Sequence, residues 1–395
     1  MKKFYSLIFV LAIHYSLSAQ PWQTLPNVPV QLAFPVVVEL YGDIHVIGGG
    51  GPSGATNIHL RYSPSTNLWD TLNPVPYLAQ QPAGAVVNGK IHYFGGGYPT
   101  TGQRLDLHYF YDTAFGMWYP AANMPVATAI HKAVSLDGKL YVLSGQPDRT
   151  LCEYYDPSSN TWTQRNPLPD MNFWYGAIVA TTNTIYRFGG GGYLIPQNLA
   201  HEYDKVNDTW IPLPNIPEAA HAINGAALND TLICIAGGYA NGIPKAKVWI
   251  YNTSTQTYSP SDSFPIARDY HSMALAGGCV YSVGGDNTAF PNVGVSLIKN
   301  CSPNIITSVQ AIENQIQKPY SVIITPNSFQ LHLNSVSSQA SAAIKLIDIS
   351  GRTVLFQMLK DEELSLSSKQ FIPGIYFVLL VVGEQYYIQQ WAVSR

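Results

Sequence analysis

The segment Gly84–Gly96 reads G-A-V-V-N-G-K-I-H-Y-F-G-G and has the pattern of a β-hairpin that ends in a glycine doublet. Runs of apolar and aromatic residues flank Asn88-Gly89, which is a favoured two-residue turn between antiparallel strands. The arrangement recurs, because a small doublet follows an aromatic residue by 27 or 28 positions in six places. The aromatic residues are Trp22, Trp69, Trp118, Trp162, Trp210 and Tyr258, and the doublets are Gly48-Gly49, Gly95-Gly96, Ser144-Gly145, Gly189-Gly190, Gly237-Gly238 and Gly284-Gly285.

The repeat has a period of 45–50 residues, which is typical of propeller blades rather than of helical solenoids. From the second aromatic onward, a tyrosine stands seven residues earlier, as Tyr155 stands before Trp162, with turn-forming residues in between. Each unit therefore predicts four antiparallel strands, which we call a, b, c and d in chain order. The doublet ends strand b, and the Trp or Tyr lies in strand d. No stretch of this region has the 3.6-residue period of a helix over a sufficient length.

These features resemble the signature of kelch-repeat β-propellers, a glycine doublet followed by a spaced tyrosine and tryptophan, over about residues 21–301. The sequence departs from that signature at Ser144, in place of a glycine, and at Tyr258, in place of a tryptophan. The sixth unit has no d strand of its own, whereas Trp22–Pro26 stands at the repeat spacing before Gly49. The sequence thus predicts an all-β, six-bladed propeller over residues 20–301, whose last blade is completed by the N-terminal strand. Such closure removes exposed blade edges.

The N-terminus reads as a secretory signal peptide over residues 1–19, with Lys2 and Lys3 before the apolar run Phe4–Ile13. No other stretch is long and apolar enough to cross a bilayer as a helix. The formal net charge is −3 and the chain has no run of Lys or Arg, which argues against a nucleic-acid partner. We expect a monomer without cofactor or metal.

Two of the four cysteines fall in the sixth unit, Cys279 in strand b and Cys301 at the end of strand c. A simple hairpin places them opposite each other, so in an exported protein we expect a disulfide between them. Cys152 and Cys234 belong to non-adjacent units and are expected to be small buried apolar residues. No cysteine spacing resembles that of a zinc site.

The repeat landmarks stop near Ser302, and residues 302–318 are polar and predict a linker. Residues 319–395 predict a small Ig-like β-sandwich. Its expected strands are Tyr320–Thr325, Phe329–Leu333, Ala342–Ile349, Arg352–Leu359, Ile375–Val382 and Tyr386–Val393.

The segments Ile347–Val354 and Pro373–Val378 resemble the C-terminal sorting domain (type A) of the bacterial type IX secretion system. Thr325–Ser328 partly matches that family's opening motif, and the last strand lacks the family's usual basic ending. The resemblance implies that residues 319–395 engage the type IX machinery and that the protein crosses the outer membrane of a Gram-negative bacterium. The product is then released or held on the cell surface. The alternative is a generic Ig-like binding module.

In a four-stranded blade, the d–a segments and the b–c loops emerge on one face, where a site is expected. The candidate ligand contacts there are Trp174, Tyr175, His131, His221, Arg268 and His271. Aromatic faces with polar donors suit sugar rings, whose hydroxyls need partners when they are desolvated. The alternative is that the aromatic residues Phe173, Trp174 and Tyr175 plug the top of one blade.

The run Arg268-Asp269-Tyr270-His271 is the densest ionisable cluster on this face. His271 with Asp269 could form an acid/base pair, and Arg268 could hold a carboxylate. We favour the other interpretation, in which Arg268 connects neighbouring blades, because no third catalytic group stands at a defined spacing. A pair of carboxylates suited to glycoside hydrolysis is not apparent.

Two classes of function fit the sequence. The favoured one is an exported, non-catalytic kelch-type protein that recognises a glycan or another protein through the face of d–a segments and b–c loops. The alternative, which the kelch resemblance implies, is an exported sugar-modifying enzyme such as a sialic-acid epimerase or mutarotase. In that case Arg268 and His271 are its candidate catalytic residues.

Overall fold

The computed structural model describes most of the repeat region and the strands of the C-terminal region. The described residues are 22–98, 101–170, 173–192, 195–285, 297–301, 320–325, 328–333, 342–348, 353–359, 363–372, 374–382 and 385–393. The expected signal peptide (residues 1–19) and linker (residues 302–318) lie outside them. The chain divides into two units, residues 1–306 and 307–395. Among the described residues, no helix is long and apolar enough to span a membrane.

Six four-stranded antiparallel sheets form the described part of the first unit, together with four short two-stranded ribbons. We number the sheets 1 to 6 by the chain order of their a strands. From a to d they contain Val36–Leu40, Asp43–Ile47, His59–Ser63 and Leu68–Thr71 (sheet 1); Ala83–Val87, Lys90–Phe94, His108–Asp112 and Met117–Pro120 (sheet 2); Lys132–Leu136, Lys139–Leu143, Cys152–Asp156 and Thr161–Gln164 (sheet 3); Ala177–Ala180, Ile185–Phe188, Ala200–Asp204 and Thr209–Leu213 (sheet 4); Asn224–Ala227, Leu232–Ala236, Val248–Asn252 and Thr257–Ser261 (sheet 5); and Ser272–Ala276, Cys279–Val283, Leu297–Asn300 and Gln23–Thr24 (sheet 6).

The turns that the sequence predicts are formed by residues with the required backbone conformation. Asn88 and Gly89, between strands a and b of sheet 2, have φ values of 51° and 71°. Positive φ at both central residues is the requirement of a type I′ turn, and Asn-Gly meets it at little cost. Strands Ala83–Val87 and Lys90–Phe94 therefore pair in register, Val87 opposite Lys90.

In sheets 1, 3 and 4 the repeated tyrosine of strand c holds the following c–d turn in place. The Tyr155 hydroxyl donates to Asn160 Oδ1 at 2.8 Å, and the Tyr203 hydroxyl donates to Asp208 Oδ1 at 2.6 Å. Asn160 and Asp208 both have φ of 55°, a conformation that Asn and Asp tolerate better than most residues. The tyrosine thus fixes a turn that brings strand d back beside strand c.

In five of the six sheets the repeated aromatic residue of strand d donates a hydrogen bond to the segment that follows strand d of the preceding sheet. The indole Nε1 of Trp162 donates to the Ala122 carbonyl at 2.8 Å. At the position where tyrosine replaces tryptophan, the Tyr258 hydroxyl donates to the Pro214 carbonyl at 2.8 Å. The departure from the repeat therefore preserves the hydrogen bond.

Sheet 6 is built from both ends of the first unit. Gln23 pairs with Lys299 and Thr24 with Ile298, so the N-terminal segment supplies strand d. Trp22 is 8% exposed and packs edge-on against Phe264, with ring centroids 4.7 Å apart. Strands b and c of the same sheet are joined by a disulfide between Cys279 and Cys301, and Cys152 and Cys234 are free and buried.

One strand from each sheet lines a common central cavity, and these six are the a strands. The first and last sheets also contact each other directly. The Ser272 hydroxyl donates to the Pro35 carbonyl at 2.6 Å, and the Gly285 N–H donates to the Leu32 carbonyl at 3.0 Å. The sheets therefore surround one axis.

The second unit contains a three-stranded and a four-stranded antiparallel sheet in its described part. In spatial order, the three-stranded sheet contains Tyr320–Thr325, Ser328–Leu333 and Glu363–Ser367. The four-stranded sheet contains Thr353–Leu359, Ala342–Asp348, Gly374–Val382 and Gln385–Val393. A 3-10 turn spans Ser368–Gln370. Glu363–Ser367, which is absent from the expected strands, alternates Leu with Ser, and Leu366 is buried. Parts of the segments that resemble a sorting domain, residues 326–327, 349–352 and 373, lie outside the described residues.

We expect removal of the N-terminal strand to destabilise the first unit. A chain that begins at Ala33 loses the buried Trp22, at a cost of about 3–5 kcal/mol, and leaves strand Leu297–Asn300 with an unpaired edge. Thermal unfolding followed by circular dichroism, with size-exclusion chromatography, measures the loss against a chain that begins at Gln20. Equal melting temperatures for the two chains would contradict this role of the N-terminal strand.

Candidate functional site

The d–a segments and the b–c loops lie together on one face of the first unit. Isolated β-bridges join the two in sheets 1, 2, 3 and 5, for example His221 to Tyr239. Among the described residues, four b–c loops extend into two-stranded ribbons on this face, which we call the ribbon face. The ribbons are Gly50–Gly51 with Gly54–Ala55, Gly97–Tyr98 with Gln103–Arg104, Gly191–Gly192 with Ile195–Pro196, and Tyr239–Ala240 with Ile243–Pro244.

The glycine doublets position the d–a segments. In sheets 2, 4, 5 and 6 the N–H of the second glycine donates to a carbonyl of the following d–a segment, as Gly238 does to Arg268 at 2.9 Å. A Cβ on Gly237 would lie 2.6 Å from the Arg268 carbonyl oxygen and 2.6 Å from the His271 ring. Both glycines have positive φ, 67° and 98°. Glycine is needed here both for its conformation and for the close approach of the neighbouring backbone.

Ser144 shows how the doublet tolerates one replacement. It has φ of 62°, and its hydroxyl donates to the Phe173 carbonyl, in the d–a segment that leads to sheet 4. The side chain thus makes a hydrogen bond to the segment that a doublet otherwise contacts through its backbone. The connection between sheets 3 and 4 is kept.

Each d–a segment places one residue with positive φ two positions before strand a. These six residues have φ between 50° and 66°, none is glycine, and they are Phe34, Gln81, Ile130, Tyr175, Ala222 and Tyr270. Their backbones connect neighbouring sheets: the N–H of Phe34 donates to the Tyr270 carbonyl at 3.0 Å, and that of Ile130 to the Gln81 carbonyl at 3.1 Å. Left-handed backbone is uncommon for such residues, which indicates that the surrounding contacts impose it.

Three of these residues meet on the axis and close the cavity at the ribbon face. The ring centroids of Phe34 and Tyr270 are 4.4 Å apart, those of Tyr175 and Tyr270 are 5.3 Å apart, and those of Phe34 and Tyr175 are 5.8 Å apart. We call Phe34, Tyr175 and Tyr270 the aromatic plug. Gln81 Nε2 donates to the Tyr175 hydroxyl oxygen at 3.0 Å, and burial raises the pKa of Tyr175 to about 12. Tyr175 therefore closes the central cavity rather than the top of a single sheet.

Trp174, like Tyr175, is partly exposed on the ribbon face. The guanidinium of Arg149, from the b–c loop of sheet 3, lies 3.9 Å from the centroid of the Trp174 ring. Phe173, by contrast, is buried between sheets 3 and 4. The ribbon face thus presents an indole stacked with a guanidinium. The sequence spacing does not reveal this cation–π pair.

The other predicted contacts are buried in the d–a segments. His131, His221, Arg268 and His271 are each at most 3% exposed, and Asp269 is 4% exposed. The His131 ring packs against Gly95 as the His271 ring packs against Gly237. His131 and His271 therefore fill equivalent places, the first between sheets 2 and 3 and the second between sheets 5 and 6.

Burial keeps these histidines neutral. It lowers the pKa of His131 to about 3 and that of His221 to about 4. Burial, together with the charges of Arg268 and Lys132, lowers the pKa of His271 well below its ordinary value. Since a general acid or base works best with a pKa near the operating pH, His271 is poorly suited to that role in this conformation.

Arg268 connects sheets 5 and 6. Its Nη1 donates to the Gly284 carbonyl at 3.5 Å, its guanidinium lies 5.3 Å from the Phe264 ring centroid, and its backbone N–H donates to the Lys245 carbonyl at 3.0 Å. Burial lowers its pKa to about 10. These contacts favour the structural interpretation of Arg268. Within the described ranges, no group of three or more His, Cys, Asp or Glu side chains could hold a metal ion.

Comparison with known proteins identifies kelch-repeat relatives. The chain is 26% identical over 197 residues to "Kelch-like protein terF" of Aspergillus terreus, covering 45% of this chain and 42% of the relative. It is 32% identical over 113 residues to human "Kelch-like protein 23", covering 28% of this chain and 20% of the relative. The chain thus spans less than half the length of either relative. No family model matches it.

A solved structure described as "Structure of YjhT" superposes with a TM-score of 0.61 at 17% identity. The superposition covers 69% of this chain and 96% of that one. At this identity the likeness concerns the fold alone. The relatives and the structural neighbour together support an all-β propeller of the kelch type.

Because two backbones approach closely at each doublet, we expect two glycines of sheet 5 to differ in how much an added side chain destabilises the protein. Gly237→Ala should destabilise the protein more than Gly242→Ala. Both positions have positive φ, which costs a non-glycine residue about 1–2 kcal/mol. A Cβ at Gly242 meets nothing within 4 Å, whereas one at Gly237 collides with Arg268 and His271, adding about 1–3 kcal/mol. Chemical denaturation measures both, and equal losses would show that the close contact is unimportant.

Proposed function

We propose that this chain is an exported recognition protein that binds a glycan or another protein on its ribbon face. Six sheets around one axis, with Gln23–Thr24 in the last, support a six-bladed kelch-type propeller closed by its N-terminal strand. The kelch-repeat relatives are in keeping with a propeller that serves as an interaction module. The opposite face is made of short a–b and c–d turns and carries none of the described two-stranded ribbons.

The observation that carries the proposal is the stack of Arg149 on Trp174. An indole and a guanidinium together offer apolar area and a fixed set of hydrogen-bond donors, which are the groups enriched where proteins bind ligands tightly. An indole face suits the C–H face of a sugar, and a guanidinium suits a carboxylate of a sugar or a peptide. The aromatic plug closes the axis, so a ligand on this face rests on the rim and the ribbons.

The buried positions of Arg268, Asp269 and His271 favour recognition over the sugar-modifying alternative. In that alternative an epimerase or mutarotase needs an acid/base group that reaches the sugar, and His271 is enclosed between sheets. We therefore assign Arg268, His131 and His271 to holding the d–a segments, and Trp174, Arg149 and the edge of Tyr175 to ligand contact.

We expect Trp174→Ala to weaken ligand binding by about 1–3 kcal/mol, because it removes the stacking area and the platform for Arg149. A glycan array of the chain from Gln20 onward identifies the ligand, and calorimetry measures its affinity. Trp249→Ala removes a partly exposed indole from strand c of sheet 5, away from the ribbon face, and should leave affinity unchanged.

Unaltered binding by the Trp174 variant would contradict the proposed face. The array glycans are also followed by NMR with the parent protein. Catalysed epimerisation or mutarotation that falls by about 10²–10⁴ in His271→Gln, with binding retained, would replace recognition by the enzyme alternative.

We propose that residues 319–395 are an export address read by the type IX secretion machinery. Their motifs and the compact unit 307–395 support a part that is separate from the recognition unit. Attached to an unrelated cargo that carries a signal peptide, they should deliver it outside the cell in a host with the type IX system. The control is the same cargo with the signal peptide alone. Retention of both proteins in the periplasm would refute the assignment.

A further inference from the structure

The central cavity beneath the aromatic plug has a volume of about 320 Å³. Its wall is formed by the six a strands, each of which pairs with strand b on one side only. The free backbone edges of these strands, with their N–H and C=O groups, therefore face the cavity. A cavity of this size with a polar wall is large enough for a small ligand.

The ionisable side chains among the described lining residues are those of Glu39 and Lys132. Glu39 lies near the end of strand a of sheet 1, and its Oε1 accepts the Gly42 N–H at 2.7 Å in the a–b turn. Lys132 begins strand a of sheet 3 and also lines a void of about 20 Å³ beside Phe34, Tyr175 and Tyr270. The positive charge is thus at the plug end of the cavity and the negative charge at the other end.

Lys132 has no counter-charge in the described part of the protein, where the structure shows no ion pair or hydrogen bond from its ammonium. Its charge acts on His131 in its own sheet and on His271 in sheet 6, but burial keeps both imidazoles neutral. Burial lowers the pKa of Lys132 itself to about 8, which leaves the amine mostly protonated at neutral pH.

The neighbouring polar side chains are already engaged with the backbone. Asn224 Nδ2 donates to the His271 carbonyl at 3.1 Å, and the Ser272 hydroxyl donates to the Pro35 carbonyl at 2.6 Å. Lys132 is partly exposed, and a partly desolvated cation without a partner is stabilised by an anion that meets it. An ammonium offers three donors, which suits the oxygens of a small anion.

We propose that Lys132 holds a small oxyanion, a carboxylate or a phosphate, in the central cavity. The site is separated from the ribbon face by the aromatic plug and is independent of the ligand bound there. The anion enters from the opposite end, where residues such as Asp137, Thr182 and Asp230 line the opening. Lys205 Nζ lies 2.7 Å from Asp137 Oδ2, and Thr182 donates to Asp230 at 2.6 Å, so both carboxylates have partners.

Thermal unfolding of the chain from Gln20 onward, at fixed ionic strength set with sodium chloride, tests the proposal. Inorganic phosphate and acetate are titrated separately, and at least one should raise the melting temperature saturably, by about 2 °C or more. A rise with phosphate alone identifies a phosphate site, one with acetate alone a carboxylate site, and one with both a general oxyanion site. The absence of a saturable rise with either anion would overturn the proposal.

Two variants connect the effect to the residue. Lys132→Met keeps most of the side-chain length without the charge, and should abolish the rise while melting at or above the parent in chloride. Lys247→Met removes an exposed lysine outside the cavity and should retain the full rise. If Lys132→Met does not fold, Lys132→Arg keeps the charge and should still respond to the anion. An equal rise in the parent and in Lys132→Met, or none in a folded Lys132→Arg, would refute the role of this lysine.

Discussion

The architecture depends on the place where two backbones approach too closely for a side chain. At Gly237-Gly238 a Cβ on the first glycine would collide with the Arg268 carbonyl, and one on the second would lie 2.9 Å from the His221 carbonyl. The second N–H makes the hydrogen bond between sheets. Each doublet follows one sheet's strand b, and four of the six make this hydrogen bond to the segment that starts the next sheet. Each repeat along the chain therefore adds one sheet to the ring around the axis.

This contact also determines what the ribbon face can be. Because the d–a segments are held by the doublets, the residue two positions before strand a is forced into positive φ, and Phe34, Tyr175 and Tyr270 meet on the axis. The centre of the face is thus filled by side chains that serve the fold. The residues available for ligand binding are therefore those of the b–c ribbons and residues such as Trp174 and Arg149 at the rim.

Features that repeat along the chain were predictable from sequence because their causes are local. Asn88-Gly89 specifies its own turn, and the spacing of Trp22 from Gly49 indicates the strand that pairs with Lys299. The candidate site was less predictable, because exposure depends on neighbours from other sheets. His271 and Trp174 occupy corresponding segments, yet Gly237 encloses the first and Arg149 covers the second. The aromatic plug was not predicted from the sequence, because positive φ is expected of glycine rather than of Phe or Tyr. Glu363–Ser367 was missed because Leu and Ser are weak indicators of a strand.

The origin of sheet 6 from both ends of the unit has a consequence for the order of folding. Gln23 is among the first residues of the unit to be synthesised, and its partner Lys299 is among the last. Sheets 1 to 5 can form as the chain emerges, but the ring stays open until the final hairpin arrives, and such long-range pairing is slow. During that interval the N-terminal strand and the open edges of the ring can pair wrongly or aggregate. The Cys279–Cys301 disulfide joins strands b and c of the last hairpin. Once it has formed, closing the ring requires the docking of a single strand rather than the assembly of a whole sheet.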